Sequence, residues 1–559
     1  MDNIKKIALV IILLAVTIGL VFGISKTLSR YHNPYAENNI QEKVSLVVGI
    51  KDETDRLVDN IIIKNNRILF SYGNLNRFID AYIQKDEKYN QIITNSKTSV
   101  AIIDLENKKI RSLLSNSWED IYIETKDGIT YLDIKELENI YNISVQYVKE
   151  TNLVKISKDI HNYKVGNISE KTDLKYLPSF ISATIDSLDA KSSVYIVKDD
   201  KDYFQVLDSM GRFGYIKQNK VNNIKTVSKY KSSFVYDEKI SMLWDYMYSI
   251  SPNRSNERKI DAVNIISPTW IDLLNDECDL YDKTDSTYFA WAEKQGYDLW
   301  PMIANNSKIE ITHTIMNDSQ LREKLVRNIV NICKKYSFNG INVDFENMYK
   351  EDADLYSQFI RELTVALHDI NVFVSVDVTV PDGSDTWSLC FDRQAIGDAA
   401  DYVVLMAYDQ TSVSSSKPGS NSAKNWIEKN IKKVTEFVNN KKLVIALPFY
   451  TRAWKDTGYN VTSSVINMNS IDMYVKVYFS KNYTKTWLQD EGQYLYEDIV
   501  NGTTLSLWSE DLESYEEKMK LIKQYELAGM AFWEADREDS KVWDIINQYV
   551  MGNRNYTSK

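Results

Sequence analysis

Eight short apolar runs, separated by stretches of helical periodicity, fill the C-terminal half of the chain, and that alternation limits the fold more than any other feature. In order they are KISMLWDYMY, AVNIISPTW, YDLWPMIAN, FNGINVDFE, VFVSVDVTVP, DYVVLMAYD, KLVIALPFYTRAW and AGMAFWEADR. Between them, DADLYSQFIRELTVALHDI places Tyr356, Phe359, Ile360, Leu363 and Leu367 three and four residues apart, one face of a helix. Strands alternating with helices predict a parallel α/β fold, and eight is the number that closes a TIM barrel. The barrel is expected at residues 238–552. The stretch between the seventh and eighth runs exceeds a simple connection, so an inserted subdomain is expected at about 455–510, ahead of the seventh helix.

The N-terminal part is organised differently. Residues 1–24 contain an uncharged apolar run, IALVIILLAVTIGLVFGI, just long enough to cross a bilayer as a helix after Lys5 and Lys6. A retained transmembrane anchor is expected there, with a cleaved signal peptide and a secreted protein as the alternative. The polar stretch 25–43 reads as a linker. Residues 44–157 alternate strand, turn and helix signals, as in DIYIETKDGITYLDIKELENIYNISVQYVKETNLVKIS, and predict a small α+β domain. Residues 158–228 offer short strands between charged turns, the pattern of a small β-barrel.

Composition excludes several functions. The net charge of −11 comes without a basic stripe, which argues against nucleic acid. Cys278, Cys333 and Cys390 form no CxxC pair, and His32, His161, His313 and His368 form no HExxH pattern. No metal site and no other cofactor is expected. The Lys-rich run 424–442 carries Trp426, Ile427, Ile431, Val434 and Phe437 at helical spacing and reads as a solvated helix face.

The fourth run carries the chemistry. Side chains alternate across a strand, so in FNGINVDFENMYK, Ile341, Val343 and Phe345 face the helices while Asn342, Asp344 and Glu346 face the barrel interior. Glu346 then emerges at the C-terminal mouth, where barrel enzymes hold their sites. Two carboxylates this close in a partly dry pocket repel, which raises one pKa and makes Glu346 a general acid. Tyr408 and Asp409 end the sixth run, and Trp533 stands in FWEAD at the eighth.

Together these motifs resemble the family 18 glycoside hydrolases over residues 238–550. The family signature D-G-x-D-x-D-x-E falls on residues 339–346 with its spacing intact, but Asn339 and Asn342 replace two acids. VDFENM, ALPFYTRAW, WLQDEGQYLYED and GMAFWEADRED are similar to the spore and cell-wall N-acetylglucosaminidase branch, where Asn is usual at the position of Asn342; Asn339 is the less expected departure. The resemblance implies a retaining mechanism in which the substrate's own N-acetyl oxygen is the nucleophile. It implies Glu346 as general acid and base, Asp344 orienting the acetamido group, Tyr408 donating to its carbonyl, Asp409 binding a sugar hydroxyl, and Trp533 flooring the cleaved sugar. Tyr450, Arg452 and Trp454, at the end of the seventh run, and Trp244 and Trp270, on the first two, are further glycan candidates, with packing as the alternative for each. Asn342 is expected to offer its N–H to Asp344, and the missing charge at Asn339 to lower its neighbours' pKa values.

Two further resemblances concern the N-terminal part. Residues 44–157 look like the copper-amine-oxidase N-terminal-like domain of bacterial wall proteins, without a metal ligand. Residues 158–228 resemble the bacterial SH3 domain through DYFQV and GRFGYI, which implies contact with wall glycan or peptide, or a spacer. The expected protein is a membrane-anchored, extracytoplasmic glycosidase cleaving β-1,4 bonds at N-acetylglucosamine in peptidoglycan of the cell wall or spore cortex. The alternatives are a catalytically silent glycan-binding protein on the same fold, and a chitinase.

Overall fold

In the computed structural model, residues 11–20, 35, 43–158, 163–227 and 234–551 are described. Residues 11–20 of the N-terminal apolar run are helical, and the rest of that run and most of the linker, like His32 and His161, lie outside the described residues. Among the described residues no helix is long and apolar enough to cross a membrane. The chain divides into two compact units, Met1–Ser233 and Phe234–Lys559.

In the first unit, Ser45–Val48 pairs in parallel with Leu153–Ser157, so the two ends of the 44–157 segment meet in one sheet. Two further antiparallel sheets and the helix Tyr72–Phe78, capped by Ser71, close a core built on Leu46, Phe70, Leu75, Ile103, Leu132 and Val154. Residues 163–227 form a seven-stranded antiparallel sheet around Ile168, Leu174, Val194, Val206 and Ile216.

The second unit contains the eight expected strands, all parallel: β1 (Ile240–Asp245), β2 (Ile265–Pro268), β3 (Met302–Ala304), β4 (Gly340–Asp344), β5 (Phe373–Thr379), β6 (Tyr402–Met406), β7 (Leu443–Pro448) and β8 (Gly529–Trp533). The ring closes where Leu243 of β1 lies beside Phe532 of β8. The second and third runs are each broken in two, β2 continuing as Ile271–Leu273 and β3 preceded by Asp298–Leu299. Pro301 lacks the N–H a ladder needs, yet Ile265 pairs with Asp298 and Ile271 with Ile303, so both halves of the join are kept.

Trp244, Trp300, Met302, Tyr402 and Val444 fill the barrel interior. The glycine of the motif in β4 has a packing reason: a Cβ on Gly340 would stand 2.5 Å from the Trp300 ring. Outside, Phe345 stacks on Phe359 of the helix Ala353–His368 at 5.7 Å, as the helical spacing predicted. The Lys-rich segment forms the helix Lys424–Val434, with Ile427, Ile431 and Val434 buried.

The inserted subdomain begins earlier than expected. KLVIALPFYTRAW is two strands rather than one, because β7 ends at Pro448 and the chain turns at Phe449 into Tyr450–Asp456. That strand lies in a five-stranded antiparallel sheet that also holds Val461–Asn467, Thr484–Leu488, Gln493–Val500 and Thr503–Trp508. Tyr450, Arg452 and Trp454 therefore belong to the insert, not to the end of the seventh barrel strand.

Candidate active site

The C-terminal ends of the barrel strands bring together a set of acids held by amides. On β4, Asn342 is fully buried. The Trp244 indole N–H donates to Asn342 Oδ1 at 2.8 Å. An indole can only donate, so this bond fixes the amide's orientation. Its Nδ2 then donates to Ser375 Oγ at 3.0 Å and to Asp377 Oδ1 at 2.7 Å, both on β5. The expectation that Asn342 serves Asp344 is thus corrected: its amide N–H groups go to acceptors on the neighbouring strand.

Asp344 keeps part of its surface exposed, but its Oδ1 is buried with no hydrogen-bond partner. Burial, then the charges of Glu346 and Asp377, holds its carboxyl well above the usual carboxylate range. Glu346 is pushed up to about 7, by burial first and then by Asp409. Its backbone is clamped from both sides by Asn305, at the end of β3: Glu346 N–H donates to Asn305 Oδ1 at 3.0 Å, and Asn305 Nδ2 donates to Glu346 O at 2.8 Å. Tyr408, beyond the end of β6, is raised by burial and then by Tyr450 and the carboxyls of Asp344, Glu346 and Asp377, so its hydroxyl stays protonated and can donate. A carboxyl protonated near neutrality, set beside a second acid and a phenol donor at a barrel mouth, can protonate a leaving oxygen while its neighbours meet developing positive charge.

The chain matches Glycosyl hydrolases family 18 over residues 285–538. Those residues are a family 18 glycosidase domain. The chain is 26% identical over 269 residues to an uncharacterized glycosylase of Bacillus subtilis, YvbX, covering 46% of this chain and 77% of that one. It is 25% identical over 245 residues to the cortical fragment-lytic enzyme of Bacillus subtilis, covering 43% of this chain and 56% of that protein. The fold is similar to that of a chitinase from Chromobacterium violaceum, at 20% identity and a TM-score of 0.50, over 56% of this chain and all of that one.

The remaining candidates fall into two groups within the glycosidase domain. Asp409 adopts a left-handed backbone, φ 55°, and its Oδ1 accepts from the Tyr450 hydroxyl and from Arg452, each at 2.8 Å. Tyr450 and Arg452 are themselves nearly buried, and they hold Asp409, whose side chain stays about half exposed. Trp533 is partly exposed and meets Trp244 edge-on at 5.7 Å and Tyr246 edge-on at 6.1 Å. Trp244, Trp270 and Trp454 are sealed, at 1%, 0% and 1% exposure, and present no face to a glycan. Trp270 donates to Ser251 and Trp454 to the carbonyl of Gly419, both packing roles.

Asn339 is also corrected. It precedes β4 at the opposite end of the strand, is exposed, and accepts the Leu299 N–H at 3.0 Å. Five residues of strand put it about 16 Å from Asp344, beyond a Debye length of about 8–10 Å. Its lost charge does not act on the carboxyls at the mouth.

Two residues of the site escaped sequence reasoning. Asp377 carried a readable signal, since Ser375, Asp377 and Thr379 alternate inward through an otherwise apolar run by the rule that exposed Asp344. Asn305 carried none, because an amide ending a strand says nothing about a backbone partner 41 residues away. Among the described residues no cluster of His, Cys, Asp and Glu could hold a metal ion, and all three cysteines are free and buried.

Proposed function

We propose that the protein cleaves β-1,4 bonds at N-acetylglucosamine in peptidoglycan by the substrate-assisted retaining route. The observation that carries the reading is Glu346, pushed up to about 7 and clamped through its backbone at the same mouth as Asp344 and Tyr408. Glu346 donates its proton to the glycosidic oxygen as the acetamido oxygen attacks, and takes one back from the water that opens the oxazolinium. Asp344 and Tyr408 position the acetamido group and offset its charge. Asp409 receives a sugar hydroxyl, and Trp533 lies under the ring.

The likeness to a cortical fragment-lytic enzyme supports spore cortex as the substrate. The apolar run at residues 7–24 serves as the anchor, with the glycosidase outside the cytoplasm. An SH3-like segment at 158–228 then meets the wall or acts as a spacer. Digestion of purified vegetative and cortex peptidoglycan, with Glu346→Gln as control and products resolved by mass, tests the reading. Fragments with reducing N-acetylglucosamine ends, absent with the variant, are expected. Tight binding without fragments, unchanged in the variant, would leave a silent glycan receptor instead.

A further inference from the structure

Asp377 stands outside the mechanism just described, yet it lies deepest among the acids. It is 1% exposed, on β5, one residue beyond the last register pair joining β4 to β5, Val343 with Val376. Asp344 stands one residue beyond that pair on β4, so the two residues occupy neighbouring positions on adjacent strands, whose backbones run about 4.8 Å apart. Both face inward, because Asn342 on β4 faces inward and donates to Asp377.

Each carboxyl has one oxygen that is buried without a hydrogen-bond partner, Asp344 Oδ1 and Asp377 Oδ2. A buried carboxylate oxygen with no donor is costly, and two of them side by side more so. One proton held between them satisfies both. The other groups facing Asp377 add no positive charge: Asn342 and Ser375 are neutral, Glu346 is a third acid, and Tyr408 and Tyr356 are phenols held protonated by burial.

We propose that Asp377 is a positioning residue that holds one proton jointly with Asp344. A pair with one proton carries a single negative charge, the charge Asp344 needs opposite an oxazolinium. In the resting enzyme the proton bridges Asp344 and Asp377; as positive charge develops on the acetamido carbon, it moves wholly onto Asp377 and leaves Asp344 ionised. It returns when the intermediate is hydrolysed, so the pair's proton count does not change over the cycle. The Trp244 to Asn342 to Asp377 hydrogen bonds keep the acceptor in place. The neutral amide at Asn342 is thereby matched by an acid one strand away.

The kinetic arm of the test rests on the hydrolase reading; the spectroscopic arm does not. With the full-length protein, kcat and KM for a chromogenic β-glycoside of N,N′-diacetylchitobiose are measured against pH for wild type, Asp377→Asn and Asp377→Ala, with Glu346→Gln as the inactive control. Asp377→Ala is expected to lose about 100-fold in kcat with KM little changed, since it misplaces Asp344. Asp377→Asn keeps a donor to Asp344 and the same total charge, so its alkaline limb stays at the wild-type pH. A limb displaced to lower pH would mean that the amide had removed a charge, and would overturn the proposal. Infrared spectra well above the Glu346 transition read the proton directly: wild type is expected to retain a protonated-carboxyl stretch that Asp377→Asn lacks. No such band in wild type, or one unchanged in the variant, also overturns it. If wild type fails to hydrolyse any substrate, the proposed function falls while the infrared comparison still decides the shared proton.

Discussion

At the residue scale the proposed chemistry centres on Glu346. Its carboxyl, raised to about 7, is protonated below that pH, so hydrolysis is expected to fall as pH rises through about 7. Glu346→Gln, which cannot release a proton, should lower kcat by about 10² to 10⁴ in a reducing-end assay. Asn305→Ala strips partners from a buried N–H and a buried carbonyl of Glu346; a stability loss of about 1–3 kcal/mol is expected by denaturant titration, with kcat falling more than KM rises. Asn339→Asp, restoring an acid at the far end of β4, should leave the pH–rate profile unchanged. Of these residues, the position of Glu346 at the mouth was legible because it continues, just past the end of β4, the alternation of Asn342 and Asp344. The clamp of Asn305 was not, because it joins two strands through side-chain contacts; the remoteness of Asn339 follows from strand rise alone and was within reach of the sequence.

At the scale of elements, the insert is fastened to the barrel's seventh helix by a buried polar cluster. Glu510, fully buried, accepts from Gln493 at 2.8 Å and from Ser514 at 3.1 Å, and pairs with Lys518, itself 1% exposed. Gln493 belongs to the inserted sheet, while Ser514 and Lys518 stand on the helix Leu512–Gln524. Lys518→Met leaves Glu510 buried without its cation and is expected to cost about 3–5 kcal/mol in thermal or denaturant unfolding; adding Glu510→Gln should recover much of that loss. The eight barrel strands were readable from alternation, as borne out by the closed parallel ring. The boundary at Pro448 was misread because an apolar run continues across it: Phe449 to Trp454 is as strand-like as Leu443 to Leu447, and only the change of pairing partner separates them.

Over the whole molecule, the glycosidase domain carries a stability cost for keeping acids dry. Glu346 and Glu510 both rise from 4.5 to about 7. A raised carboxyl favours the fold when protonated, so its contribution is fully present below pH 4.5 and is lost as pH rises through about 7. Each such shift corresponds to about 3 kcal/mol. The unfolding temperature is therefore expected to fall across that window. Glu346→Gln should match wild type below it and exceed wild type above it, an inactive variant more stable than the enzyme.

Sequence alone determined the number and order of the barrel strands, the inward face of β4 and the end of the barrel that holds Glu346, because periodicity and strand direction are local properties of the chain. The sealing of Trp244, the turn of Asn342 toward Asp377, the clamp of Asn305 on Glu346 and the start of the insert were decided by the tertiary structure. The first three depend on groups 35 to 98 residues apart in the chain meeting as donor and acceptor, and although strand order names the neighbours in the barrel, no local pattern encodes which side chain meets which group between them.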